Sequence, residues 1–122
     1  IISKIETLSA IKNLKEISKE SSAILIDRGD LSRQIAIEKI PIAQNLILQK
    51  SKIFKIPVYV ATNLLETMIK YNLPTRAESN DIYSCLNEGA SGLVLAAETA
   101  IGKFPVECVN FLKKCIAAYK SK

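Results

Sequence analysis

The sequence contains no histidine. That absence removes every mechanism in which an imidazole activates a serine or a cysteine. Cysteine is scarce as well. Cys85, Cys108 and Cys115 form no CxxC pair, and no histidine is present to complete a zinc site. Cys108 and Cys115 fall seven apart in a helical stretch and share a face. All three read as buried free thiols of a reducing compartment. No apolar run approaches the roughly 18 residues of a membrane span. No basic start with a small-residue cleavage site marks a leader. Any chemistry must rest on Lys, Asp, Glu, Thr or a bound metal.

What is present is an ordinary globular balance. The 122 residues are enough for one core. The 48% hydrophobic and 24% charged content places the chain among folded soluble domains. Seventeen basic residues against 12 acidic ones give a net charge of +5. The lysines are scattered along helical stretches, as at Lys12, Lys15 and Lys19, or Lys50, Lys52 and Lys55. A nucleic-acid groove would gather them on one face with aromatics between, so no nucleic-acid or membrane partner is expected. A basic surface still draws in a small anion. The chain opens on Ile1, inside an apolar run, so a piece of a longer protein is expected.

Short apolar runs alternate with amphipathic ones. Residues 1–5 read as a strand, and residues 8–19 as a helix with Ile11, Leu14 and Ile17 on one side. Residues 23–27 form a second strand, closed by Arg28, Gly29 and Asp30. Residues 42–55 are helical, with Pro41 acceptable in the first turn. Residues 57–62 give a third strand and residues 64–70 a short helix. Thr75 and Glu78 have capping-box spacing ahead of a helix that Gly89 stops. Residues 91–96 give a fourth strand. Pro105 opens a last helix with Val106, Val109, Leu112 and Ile116 along one stripe. Four strands alternating with helices predict an α/β fold with parallel strands. The pattern alone leaves open a doubly wound sheet or half of a barrel.

In such folds functional groups collect at the carboxyl ends of the strands. There the sequence places Lys4 and Glu6, then Asp27-Arg28-Gly29-Asp30, then Ala61-Thr62-Asn63, then Ala97-Glu98-Thr99. Lys4 and Glu6, two apart, point to the same side of their strand. Glu6 and Asp30 come from neighbouring strands. Two carboxylates with open positions suit Mg²⁺, and a lysine suits charge developing on a phosphoryl group or an enolate. The residues alone describe a metal-assisted site for a small anion.

Five motifs in order resemble pyruvate kinase. Ile1-Ile2-Ser3-Lys4-Ile5-Glu6 is similar to the strand bearing that family's active-site lysine. Arg28-Gly29-Asp30-Leu31 resembles its metal-binding loop. Val60-Ala61-Thr62 with Leu65-Glu66-Thr67-Met68-Ile69 resembles the next strand and helix. Pro74-Thr75-Arg76-Ala77-Glu78 resembles the segment before the seventh helix. Glu98-Thr99-Ala100 with Gly102 and Pro105 resembles the segment after the eighth strand. The resemblance implies the second half, strands five to eight, of a TIM (β/α)8 barrel, with residues 1–122 as one partial barrel domain of four βα units. It implies phosphoryl transfer between phosphoenolpyruvate and ADP. Lys4, Thr62 and Glu98 would be catalytic. Gly29, Asp30 and Thr62 would bind substrate. Glu6 and Asp30 would hold Mg²⁺ or Mn²⁺. K⁺ would be needed too, with its ligands in the other half of the barrel. Homo-oligomers and a cytoplasmic location are expected, with an organelle left open.

Departures from the family pattern stand beside these matches. Asp27 replaces a small alanine and Ser32 a glycine. Ala96 and Ala97 replace the serine and glycine before the glutamate, and Ile101 replaces a lysine. Two alternatives stay open: a Mg²⁺-dependent aldolase or lyase of the same barrel type, and an inactive pyruvate kinase-like remnant. Half a barrel would leave two unpaired strand edges, so the isolated chain is expected to self-associate.

Overall fold

Runs rich in Ile, Leu and Val form four short strands: β1 (Ile2–Ile5), β2 (Ala23–Asp27), β3 (Val58–Ala61) and β4 (Gly92–Val94). A computed structural model describes residues 1–122. The strands lie in one sheet in the order β1-β2-β3-β4, and every pairing is parallel. The expected α/β fold with parallel strands is therefore observed. The chain divides into two units, each taken by itself below: Ile1–Ala61 with Glu88–Val94, and Thr62–Asn87 with Leu95–Lys122.

The first unit holds the whole sheet. Register pairs Ile5 with Ile26, and Ile26 with Val60. These three side chains are fully buried and form one row of the core. Adjacent rows point to the opposite face. There Lys4 pairs with Leu25, Leu25 with Tyr59 and Tyr59 with Gly92. The Tyr59 ring lies so close over Gly92 that a Cβ there would sit 2.6 Å from it, which is why this strand position lacks a side chain.

Helices of this unit alternate with its strands along the chain. The predicted helix over 8–19 divides into α1 (Leu8–Lys12) and α2 (Leu14–Lys19). Asn13 causes the break. Its side chain donates to the Ser9 carbonyl at 2.9 Å, and its backbone turns to φ −101°, ψ 21°. Thr7 caps α1 by accepting from the Ala10 amide at 3.0 Å. Arg28, Gly29 and Asp30, expected as a loop, wind with Leu31 into one turn, α3 (Arg28–Leu31). α4 (Ile40–Phe54) carries Pro41 in its first turn and buries Ile47 and Leu48.

The second unit is helical. A 3₁₀ turn at Glu66–Ile69 stands where a short helix is expected. α5 (Arg76–Asn87) opens on the expected capping box: Glu78 N–H donates to Thr75 Oγ1 at 3.1 Å, and Thr75 N–H to Glu78 Oε1 at 2.9 Å. α6 (Ala97–Ala100) and α7 (Pro105–Lys120) follow. α5 packs on α7, with Tyr83 and Tyr119 edge to face at 5.8 Å. The expected stripe on α7 needs correction. Leu112 is buried, but Val106 and Val109 are exposed, and Cys108 takes the buried position one turn before Leu112. Both sets have helical spacing, so only the packing partner chooses between them.

All three cysteines are free; Cys85 and Cys108 are buried and Cys115 is partly so. Burial pushes the Cys108 thiol above its ordinary value, and the charges of Glu98, Glu107 and Glu78 add to the shift. No helix is long and apolar enough to cross a membrane.

β1 and β4 each leave one edge without a partner strand in this sheet, and Ile2 on β1 is largely exposed. The isolated 122-residue chain is therefore expected to self-associate through these edges. Sedimentation or light scattering checks this, and a monodisperse monomer with a cooperative melt contradicts it.

Candidate active site

Alternation along the strands decides which side chains meet. Lys4 and Glu6 leave β1 on the face opposite Ile5, and Asp27 leaves β2 on the face opposite Ile26. Asp30 follows one helical turn later on α3. Asp27 holds that turn by accepting from the Asp30 amide at 3.1 Å, so the acid that ends the strand also caps the helix.

Four charged groups converge as a result. Lys4 Nζ lies 3.0 Å from Asp27 Oδ2, 3.1 Å from Glu6 Oε2 and 3.7 Å from Asp30 Oδ2. Arg33 approaches Asp30 Oδ1 at 3.8 Å. Asp27 first, then Glu6, raise the Lys4 ammonium above its ordinary pKa, so it stays charged throughout the neutral range. Burial works against the Asp27 carboxylate. The Asp30 amide and Lys4 outweigh that cost and hold its pKa below the usual value. Asp30 moves the other way, upward, because it shares the space with Glu6 and then Asp27. Lys4 and Arg33 together carry one charge fewer than the three carboxylates they face.

That donor set fits a hard divalent cation. One oxygen from each of Glu6, Asp27 and Asp30 can be chosen so that all lie within 4.8 Å of one another. Glu6 Oε2 is shut off from solvent and is held by the Lys4 charge without a well-aligned hydrogen bond. A buried oxygen in that state has unused capacity for a cation.

The sequence places Lys4, Glu6, Gly29 and Asp30 in the first unit, where the cluster gathers Lys4, Glu6 and Asp30 and α3 carries Gly29. It misses Asp27 as a member of the cluster and treats it as a departure. The signal was available: Asp27 is two residues beyond Leu25, the register partner of Lys4, and so shares its face.

Thr62 and Glu98 belong to the second unit. Thr62 is left-handed at φ 73°, and Asn63 follows at φ 58°. A β-branched residue in that region is strained by about 1–3 kcal/mol, a cost that concentrates at functional sites. Glu98 is almost fully buried at 1% exposure. Its Oε2 accepts from the Leu65 amide and its Oε1 from the Ala96 amide, both at 2.9 Å. Gly102 closes α6 in a place where a Cβ would meet the Glu98 carbonyl at 2.5 Å.

Parallel βα units with a lysine and three carboxylates at neighbouring strand ends define an α/β domain with an ionic cluster in the place where such folds bind ligands. The chain belongs to the pyruvate kinase barrel-domain family, whose model ("Pyruvate kinase, barrel domain") matches residues 1–109. Pyruvate kinase of Thermotoga maritima is 49% identical over 114 residues, which cover 93% of this chain and 24% of that protein. A crystal structure of a pyruvate kinase from Cryptosporidium parvum superposes with a TM-score of 0.96 at 41% identity, covering 99% of this chain and 24% of that one. Cryptosporidium parvum pyruvate kinase in complex with ADP gives a TM-score of 0.93 at 42% identity, covering 98% of this chain and 24% of that one. The chain thus spans about a quarter of the length of the relatives it matches.

Glu98 supplies the test of the second unit. Glu98→Gln puts an amide donor against one of two backbone N–H groups that now share a carboxylate. It is expected to cost about 1–3 kcal/mol, the penalty of a buried donor left unsatisfied. Urea denaturation of the protein carrying this chain checks it, and an unchanged midpoint would show that the amides find other partners.

Proposed function

We propose that this chain is the second half of a pyruvate kinase barrel, strands five to eight with their helices, forming one partial domain over residues 1–122. In this reading it supplies the metal- and lysine-bearing part of a site that transfers a phosphoryl group from phosphoenolpyruvate to ADP. One observation carries the reading: the Lys4 ammonium lies within 3.0–3.7 Å of carboxylates from Glu6, Asp27 and Asp30 at the ends of β1 and β2. Family membership and the likeness to a pyruvate kinase solved with ADP support the choice of substrates.

In the reaction the bond from phosphorus to the enol oxygen breaks, and its electron pair stays on that oxygen. A β-phosphate oxygen of ADP forms the new bond to phosphorus. The enolate of pyruvate then takes a proton at C3. Lys4, charged and directed into the cluster, stabilises the phosphoryl group in transit. Glu6 and Asp30 would hold Mg²⁺ or Mn²⁺, and such an ion would supply positive charge to the substrate oxygens. The Gly29 and Asp30 amides contact the substrate carboxylate. The family pattern assigns Thr62 to placing the proton at C3 and Glu98 to supporting that step. Through its two amide contacts, Glu98 would act on the backbone at residues 65 and 96. The same reading assigns K⁺, bound outside this chain, together with a homo-oligomeric state and a cytoplasmic location.

The test is pyruvate formation from phosphoenolpyruvate and ADP by the protein carrying this chain, followed through coupled NADH oxidation. Lys4→Ala is expected to lower kcat by about 10²–10³-fold, as loss of one electrostatic stabiliser does. Activity unchanged in Lys4→Ala, or absent from the native protein, removes this reading.

A further inference from the structure

The proposed function gives Asp27 no part in the reaction itself, although it caps α3 and is the most deeply placed acid of the cluster. It ends β2 with only 10% of its side chain exposed, against 36% for Glu6 and 39% for Asp30. Both its oxygens are engaged. Oδ1 accepts from the Asp30 amide at 3.1 Å, and Oδ2 lies 3.0 Å from Lys4 Nζ. A carboxylate at that depth must be compensated by such contacts or it would not stay charged. Its two partners are the ammonium and one of the amides that the proposed function gives to the phosphoryl group and the carboxylate of the substrate.

We propose that Asp27 is an internal competitor for the anion position. Its carboxylate holds the Lys4 ammonium and the Asp30 amide until a phosphorylated carboxylate displaces it, and so it sets how tightly the site takes anions. The identity of the natural anion rests on the proposed function; the competition itself does not. Two physical effects act in the same direction. A fixed negative charge repels an incoming anion, and a donor already engaged is not open to a second acceptor without breaking the first contact. Removing the charge should therefore tighten anion binding. The rival role, in which Asp27 orients Lys4 for the reaction, has the opposite signature. An unrestrained ammonium would lower kcat and leave anion affinity unchanged or weaker.

The experiment compares the native protein with Asp27→Asn and Asp27→Ala in the protein carrying this chain. Asparagine keeps an acceptor for the Asp30 amide and so preserves the turn of α3, which guards against loss of fold in the alanine variant. Calorimetry measures phosphoenolpyruvate binding with Mg²⁺ and inorganic phosphate binding without any divalent cation. Kinetics of pyruvate formation give KM and kcat separately. Asp27→Asn, which frees the ammonium but not the Asp30 amide, is expected to bind phosphoenolpyruvate several-fold more tightly, and Asp27→Ala, which frees both, about tenfold, with KM falling in step and the effect shrinking as salt rises. Phosphate should tighten in Asp27→Asn as well. Unchanged or weaker binding of both anions in Asp27→Asn overturns the proposal, as does no binding of phosphate by any of the three proteins. If the native protein forms no pyruvate, the functional reading fails, and the phosphate comparison still decides the competition.

Discussion

Parallel pairing in register is the constraint on which the site depends. Ile5, Ile26 and Val60 fill one buried row of the sheet. Burial of that row dictates what the neighbouring positions do, because a strand side chain that points away from the core has no choice of face. Lys4 and Glu6 on β1, and Asp27 on β2, are thereby sent to the same side. A slip of one residue in either strand would bury charge and expose isoleucine. The apolar row thus enforces the ionic cluster, although no apolar side chain is asked to touch a ligand.

The cluster brings like charges close together. Three carboxylates converge on one ammonium, and Asp30 is raised in pKa because it shares the space with Glu6 and then Asp27. A protein selected for stability alone would separate such charges. Here they are held by geometry imposed from elsewhere: the strand ends fix Glu6 and Asp27, and the Asp27 cap on α3 fixes Asp30. The second unit shows the same arrangement with a different group. Glu98 is buried, and its two oxygens tie the amides of Leu65 and Ala96. Left-handed Thr62 adds local strain at the end of β3.

Much of this was legible in the sequence, for reasons that can be named. The strands announce themselves because each is a short apolar run rich in branched residues. The Thr75–Glu78 box announces α5 because capping is local chemistry. The meeting of Lys4, Glu6 and Asp30 was legible because all three lie at the ends of neighbouring strands. What was not legible depends on contacts distant in sequence. The break at Asn13 turns on one side chain competing for the Ser9 carbonyl. The buried stripe of α7 runs through Cys108 because α5 and α6, not the helix's own spacing, select its inward face. The partners of Glu98 are backbone amides, and no side-chain motif encodes those. Asp27 was visible at its strand end, but its contact with Lys4 depends on the pairing of Lys4 with Leu25, which one strand's sequence does not encode.

Glu6 and Asp30, gathered around Lys4, are proposed as a divalent-cation site. Binding of Mn²⁺ to the protein carrying this chain, followed by the loss of its free paramagnetic signal, tests this most directly when native protein is set against Asp30→Ala. Stoichiometric binding by the native protein and a loss of at least about tenfold in affinity in the variant are expected, since removal of even an outer-shell partner costs that much. Equal binding by both would place the metal elsewhere and leave the cluster as an ion-paired strand end.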